Sequence, residues 1–140
     1  MDQRAQISAE YVLLLGIIFV IVLFMAVALT NENEQNSVAT AAQLGASNAT
    51  AYIIFTNTSQ SPVKVTYVNM TNGNTVPSNI TIVIHFSRSV TNQQQIILSS
   101  INNSIAAAGY KNTTISGNSV VVHTNTGSGS AFNNYTITLS

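Results

Sequence analysis

The hydrophobic and polar positions divide the chain into two unlike parts. From Tyr11 to Leu29 there are 19 consecutive residues without a charged or strongly polar side chain. At about 1.5 Å per residue, a helix of this length spans about 28 Å, close to the hydrocarbon thickness of a bilayer. The run is apolar on all sides, which excludes an amphipathic surface helix. The pattern therefore predicts a helix that enters an apolar environment.

An alanine-rich segment follows and favours continued helix. It runs from Val38 to about Tyr52 and contains Ala39, Ala41, Ala42, Ala46, Ala49 and Ala51. Gly45 is the residue there that weakens helix most, and it marks the predicted soft point. A helix from Gln6 to about Ala51 would be roughly 70 Å long.

The remaining sequence alternates like β structure. Hydrophobic residues recur at every second position in two segments, Val63, Val65 and Tyr67, and then Ile80, Ile82, Ile84 and Phe86. Such alternation predicts strands with one buried face. Asn72-Gly73 between the segments is a strong turn signal, and Pro77 prevents a strand through that point.

A second helix interrupts the strands. Thr91-Asn92-Gln93-Gln94 fits a capping box, and Gly109 fits a C-terminal cap. Its predicted apolar stripe is Ile97, Ile101, Ile105 and Ala108. Short strands are predicted at 113–115, 120–124 and 135–139, with a Gly117-Asn118 turn and a Gly-Ser loop at 127–130.

These elements predict an α+β fold: a long N-terminal apolar α-helix plus a small antiparallel β-sheet domain with one additional packed helix. Both helices are expected to cover the same face of the sheet. The predicted organisation is a leader at 1–5, an N-terminal helix at 6–52 with its apolar part at 11–29, and an extracellular head domain at 53–140.

Charge and composition argue against an enzyme. Charged residues are 6% of the 140-residue chain, and no Asp or Glu occurs from residue 35 onward. A catalytic triad, a carboxylate pair and a two-metal site all need carboxylates that this part lacks. There is no cysteine, and His85 and His123 without a third ligand predict no metal site. We therefore expect no catalytic residues and no cofactor.

The remaining cations and aromatic residues suggest no other chemistry. Lys64, Arg88 and Lys111 are too few and too dispersed for a nucleic-acid footprint. The aromatic residues fall mostly at inward strand positions, which predicts core packing. They are Tyr52, Phe55, Tyr67, Phe86, Tyr110, Phe132 and Tyr135.

The segment Gln6-Ile7-Ser8-Ala9-Glu10-Tyr11-Val12-Leu13-Leu14 lies at the boundary between the leader and the apolar run. It resembles the Q-x-S-x-E-x-x-x-L signature of archaeal type IV pilin precursors with class III signal peptides. The matching residues are Gln6, Ser8, Glu10 and Leu14, preceded by Arg4-Ala5. The resemblance covers about 25 residues and does not extend to the head.

The resemblance implies a processing and assembly route. A prepilin peptidase would cut between Ala5 and Gln6, with Arg4, Ser8 and Leu14 as leader-recognition residues. An assembly ATPase and a membrane platform protein would then move subunits from the cytoplasmic membrane into a helical homopolymer. The precursor would be a single-pass protein with its N-terminus inside, since Arg4 precedes the apolar run and two glutamates follow it.

Glu10 is the residue whose position most needs a partner. An ionised carboxylate entering an apolar medium is costly unless it is paired. After cleavage, the new α-amino group of Gln6 is available in the same chain or in a neighbouring subunit. Pairing with a neighbour would set the axial register of the filament.

Seven N-x-S/T sequons make N-glycosylation the candidate modification. They begin at Asn48, Asn57, Asn69, Asn79, Asn102, Asn112 and Asn134. Asn102 is expected to be exposed, on the side of the second helix opposite its apolar stripe. A glycan would hydrate a surface that is poor in charge.

Three alternatives to a major pilin remain open. An archaellin shares the processing logic, although a head of about 90 residues with a helix fits its all-β sandwich poorly. A minor or tip pilin would not dominate sheared filaments. A non-polymerising, single-pass membrane-anchored binding protein would keep the apolar run in lipid.

Overall fold

The computed structural model describes residues 3–56, 61–73, 79–125 and 132–140. Within them the chain is α+β, as predicted, with two α-helices, one 3₁₀ turn and a mixed five-stranded sheet. The elements are α1 (Gln3–Thr56), β1 (Val65–Asn72), β2 (Asn79–Phe86), the 3₁₀ turn (Thr91–Gln93), α2 (Gln94–Ala107), β3 (Thr113–Ser116), β4 (Ser119–Asn125) and β5 (Phe132–Leu139). The strand order is β1-β2-β5-β4-β3.

Helix α1 is longer than predicted at both ends, because it begins before Gln6 and continues past Ala51 to Thr56. The chain divides into two compact units, Met1–Asn36 and Ser37–Ser140, and the division falls within α1. The described residues contain no helix that combines the length and the hydropathy of a membrane span.

The second unit is held together by one core that includes a stripe of α1. The stripe recurs every three or four residues, so it lies along one side of the helix. Its buried members are Val38, Ala42, Ala46, Ala49 and Ile53. The same core contains the buried residues of α2 and the inward residues of the strands. Both helices thus cover one face of the sheet, as predicted.

Gly45 is a close contact between helices and not the predicted soft point. The Ser100 hydroxyl of α2 donates a hydrogen bond of 2.8 Å to the Gly45 carbonyl. A Cβ added at Gly45 would lie 2.6 Å from the Ile101 Cα and 2.8 Å from the Ser100 carbonyl oxygen. The absence of a side chain at Gly45 lets the backbone of α2 come close to α1, and α1 remains helical through this residue.

The prediction of an antiparallel sheet is wrong for one pair of strands. β2 and β5 are parallel, with Asn79 opposite Asn134 and Ile82 opposite Ile137. The other neighbours are antiparallel. β5 enters the sheet between β2 and β4, after the chain has crossed over through α2, β3 and β4.

A bulge in β1 corrects the predicted facing of this strand. Val65 pairs with Phe86 and Tyr67 pairs with His85, so Thr66 is an extra residue on β1. Because a bulge shifts the side-chain alternation by one position, Tyr67 faces outward. Val68 and Met70 pack against the core instead.

Both predicted turn signals lie where the chain passes between antiparallel neighbouring strands. Gly117 has φ +58° and lies between β3 and β4, as a two-residue hairpin requires. β1 ends at Asn72, but β2 begins only at Asn79, so Asn72-Gly73 is not a two-residue turn. Pro77 and the Gly-Ser loop at 127–130 lie outside the described residues.

The predicted C-terminal cap of α2 is confirmed, but its predicted N-terminal cap is not. Gly109 has φ +103° and donates its N–H to the Ala106 carbonyl, which closes the helix. At the other end a 3₁₀ turn precedes α2 and no side chain caps it, so the predicted capping box is wrong. Ala108 lies beyond the helix and is exposed, and Leu98 takes its place in the apolar stripe.

Candidate assembly surface

Residues 11–26 of α1, hereafter the apolar segment, are exposed without exception. Their large side chains range from 48% exposed at Ile18 to 78% at Phe24. A soluble protein seldom exposes a contiguous apolar surface of this extent, and such surfaces mark interaction sites. Burying each large side chain yields about 1.5–3 kcal/mol. The apolar segment is therefore the strongest candidate for a binding surface in the chain.

The exposure surrounds the helix and is not confined to one side. Leu13, Leu14 and Leu15 are consecutive and each is more than half exposed. Consecutive helical residues point about 100° apart, since there are 3.6 residues per turn. A partner that touched one side would leave the others in water. Only an environment that encloses the helix, such as a helix bundle or lipid, buries this segment fully.

The residues of the pilin-like motif lie in α1 at the start of the apolar segment. Glu10 immediately precedes this segment and its side chain is exposed. Leu14 is part of the segment. Arg4, Ala5, Gln6 and Ser8 belong to α1, but their side chains lie outside those that the structure describes.

A second apolar surface lies on the part of α1 that belongs to the second unit. It consists of Leu44, Tyr52 and Phe55, hereafter the outer stripe, with Phe55 83% exposed. Leu44 and Phe55 lie roughly opposite the buried stripe of the same helix, and Tyr52 lies beside it. The sequence did not predict this surface, because core packing was expected for both aromatic residues.

The prediction of core packing holds for only some of the other aromatic side chains. Phe86 and Tyr135 are buried, and Tyr110 packs against the core. Tyr67 is 57% exposed, so the prediction is wrong for it as well as for Tyr52 and Phe55. The Phe132 side chain lies outside the described ones.

The two histidines each contact a neighbour on the outer face of the sheet. The His85 ring stacks on the Tyr67 ring, with centroids 4.1 Å apart and an angle of 17°. His123 Nδ1 lies 2.6 Å from Asn134 Oδ1. Across the described residues no three metal-ligating side chains come together. These contacts give each histidine a local packing role.

A pocket of about 390 Å³ lies between the end of β2 and the start of α2. Arg88 is the one charged side chain in its lining, beside Ser89, Thr91 and Gln94. The other side chains that line it are neutral.

The sequons differ in accessibility. Asn48, Asn69, Asn79 and Asn112 are exposed, and Asn134 is half-buried. Asn102 is also half-buried, and its Oδ1 is fully buried without a hydrogen-bond partner. The prediction that Asn102 is exposed is therefore wrong, because this side of α2 is partly covered. Asn57 lies outside the described residues.

Two sequons form a hydrogen-bonded array that the sequence did not reveal. Asn134 Nδ2 donates to Asn79 Oδ1 at 3.3 Å, and His123 meets Asn134 from the other side. The sequence contained one signal that could have pointed to this pair, a local pattern that both sequons share. Asn79-Ile80-Thr81-Ile82 and Asn134-Tyr135-Thr136-Ile137 share the pattern Asn-x-Thr-Ile, and the parallel register places them side by side.

Comparison with protein-family models, curated proteins and solved structures gives no match for this chain.

Proposed function

We propose that this chain is a structural subunit of an archaeal type IV pilus that serves in surface attachment. The observation that carries the proposal is the apolar segment, which is exposed on every side and begins directly after Glu10. In a filament, the apolar segments of many subunits would bury one another in a helical core. The long apolar N-terminal helix would thus be both the membrane anchor of the precursor and the core of the fibre.

The proposed route has three steps. The precursor lies in the cytoplasmic membrane with its N-terminus inside and its head outside. A prepilin peptidase cuts between Ala5 and Gln6 and leaves the apolar segment on the mature subunit. An assembly ATPase and a membrane platform protein then transfer the subunit into the homopolymer. Transfer requires energy because the apolar segment leaves lipid and is covered again only when neighbouring subunits close around it.

The composition of the head supports a role in structure over one in chemistry. Its surface is rich in neutral polar side chains, and no acidic residue occurs from residue 35 onward. The proposal therefore assigns no reaction, cofactor or nucleic-acid partner to the head.

The alternatives differ from this proposal in what covers the apolar segment. A single-pass binding protein would keep the segment in lipid permanently, and a minor pilin would enter few filaments. The mixed sheet with two helices on one face favours a pilin over an archaellin, whose head is an all-β sandwich.

N-terminal sequencing of filaments sheared from cells tests the proposal most directly. We expect the major protein of these filaments to begin at Gln6, because the cut at Ala5–Gln6 retains the apolar segment. Recovery of this chain only in the membrane fraction would favour the binding protein. An intact Met1, or a start beyond Leu29, would contradict the proposal.

The outer stripe provides a second test. Replacing Tyr52 and Phe55 together by serine should leave the head folded, because both side chains are more than half exposed. If the outer stripe packs against neighbouring subunits, each lost side chain removes about 1.5–3 kcal/mol per contact. We expect shorter or fewer filaments in electron micrographs, with unchanged processing.

Serine substitutions at Thr40 and Gln43 are a matched control, since both residues are exposed positions of the same helix. Equal piliation in the two double variants would show that the outer stripe takes no part in assembly.

A further inference from the structure

The strongest unexplained feature of the head is the array of three polar side chains, His123, Asn134 and Asn79, on the outer face of the sheet. They are neighbours across β4, β5 and β2, with Asn134 opposite both His123 and Asn79 in the register. Two of the three are sequon asparagines. A glycan on either asparagine would have to be compatible with the hydrogen bonds of this array.

The direction of the hydrogen bonds distinguishes the two asparagines. Asn134 Nδ2 donates to Asn79 Oδ1, so the Asn134 oxygen is left as the acceptor for His123 Nδ1. Asn79 enters the array through its oxygen alone. Among the described residues its Nδ2 has no hydrogen-bond acceptor, and this nitrogen is the atom that N-glycosylation modifies.

Burial also favours Asn79 over Asn134 as the modified residue. Asn134 is half-buried on the central strand β5, with a polar neighbour at 3.3 Å on one side and at 2.6 Å on the other. A sugar on Asn134 Nδ2 would replace one of the two N–H hydrogens of a half-buried amide and would have to fit between these two neighbours. Asn79 is exposed and is the first residue of β2, where the strand meets the loop. A sugar on Asn79 Nδ2 leaves the whole array in place.

We infer that Asn79 carries an N-linked glycan in the folded head, whereas its neighbour Asn134 stays unmodified and holds the Asn79 amide by a hydrogen bond. The inference rests on the proposed function, because it requires the head to be outside the cell. It predicts that two sequons with the same local pattern are used unequally.

The modification is an ordinary transfer from a polyprenyl-phosphate-linked oligosaccharide by a membrane oligosaccharyltransferase. A bond forms between Asn79 Nδ2 and the anomeric carbon, and the bond from that carbon to the phosphate oxygen breaks. The bonding electrons stay with the phosphate, and Nδ2 loses one proton to the released phosphate or to water. Asn79 Oδ1 is unchanged and still accepts the hydrogen bond from Asn134.

Two threonine variants test the inference without disturbing the array. Thr81→Val removes the sequon of Asn79, and Thr136→Val removes that of Asn134. The two threonines are aligned in the parallel register, and valine has nearly the same shape. The measurements are the intact mass of the full-length protein made in an archaeal host and mass spectrometry of its proteolytic glycopeptides.

We expect Thr81→Val to lose the mass of one glycan and Thr136→Val to keep the mass of the parent glycoform, corrected for the substitution. In the parent protein, the peptide with Asn79 should carry sugar and the peptide with Asn134 should not. A glycan on Asn134, a loss of mass in Thr136→Val, or an unmodified Asn79 would each overturn the inference.

The same spectra separate this inference from the proposed function. A mature start at Gln6 with a bare Asn79 peptide would refute the glycan and leave the pilin proposal standing. A glycan at Asn79 on a chain that still begins at Met1 would support the glycan and contradict the pilin proposal.

Discussion

Replacing Glu10 by valine is expected to abolish or strongly reduce filaments while leaving cleavage at Ala5–Gln6 unchanged. Glu10 lies at the start of the apolar segment, where a filament core would enclose its carboxylate. Its proposed partner is the α-amino group of Gln6 on a neighbouring subunit. Losing one partner of such a desolvated pair costs about 2–5 kcal/mol, because the remaining charge stays buried and unpaired. That cost is repeated at every subunit contact in the fibre.

The measurements are electron microscopy of whole cells and the mass of the N-terminal peptide in the membrane fraction. Glu10→Gln removes the charge with little change in shape, and it should show the same defect. Glu32→Val is the matched control, because Glu32 is an exposed acidic residue of the same helix beyond the apolar segment. It should leave piliation normal.

Normal filaments in Glu10→Val would rule out the proposed register role of the carboxylate. A processing defect in the same variant would instead assign Glu10 to recognition by the peptidase.

Replacing Gly45 by alanine is expected to lower the stability of the head by about 2 kcal/mol. The added Cβ meets backbone atoms of α2, which cannot turn aside as a side chain can. Overpacking of this kind typically costs about 1–3 kcal/mol. Stretching the Ser100–Gly45 hydrogen bond adds about 1 kcal/mol, and the higher helix propensity of alanine offsets about 1 kcal/mol. A loss of this size lowers Tm by about 8–16 °C in a domain of roughly 100 residues.

Thermal unfolding of the full-length chain in detergent, followed by circular dichroism of the sheet, measures this effect. Gly16→Ala is the control, since the same substitution in the same helix meets nothing within 4 Å. It should leave the unfolding of the head unchanged. Equal melting temperatures for the two variants would mean that α1 and α2 do not approach closely at Gly45.

Local patterns in the sequence predicted the elements of the head well. The alternation of Ile80, Ile82 and Ile84 identified β2 and its buried face, because a strand with one side in the core needs no other information. The stripe of Ile97, Ile101 and Ile105 identified α2 in the same way. Gly109 and Gly117 were predictable because their backbone conformations favour glycine.

The errors arose where distant parts of the chain decide the structure. The outward facing of Tyr67 follows from a bulge opposite β2, which no property of β1 alone indicates. The parallel pairing of β2 with β5 joins residues that are 55 positions apart in the chain. Gly45 reads as a helix-weakening residue until α2 is placed against it.

The candidate surfaces also divide into one that local sequence predicts and others that depend on distant contacts. The apolar run at 11–29 was evident from the sequence, because 19 apolar residues in succession cannot form a one-sided surface. The exposure of Tyr52 and Phe55 was not, since it depends on which side of α1 the small alanines turn toward the sheet. The hydrogen-bonded sequon pair required the register of the sheet.

The central position of β5 has a consequence for the order in which the head forms. β5 is the last strand along the chain, yet it joins the β1–β2 hairpin to the β3–β4 hairpin. Until residues 132–139 have been synthesised, the head consists of two separate hairpins that share no strand pairing. A nascent chain on the ribosome therefore cannot complete this sheet before its last strand has been made. For the exported subunit that we propose, this topology would delay completion of the sheet until the last strand had crossed the membrane.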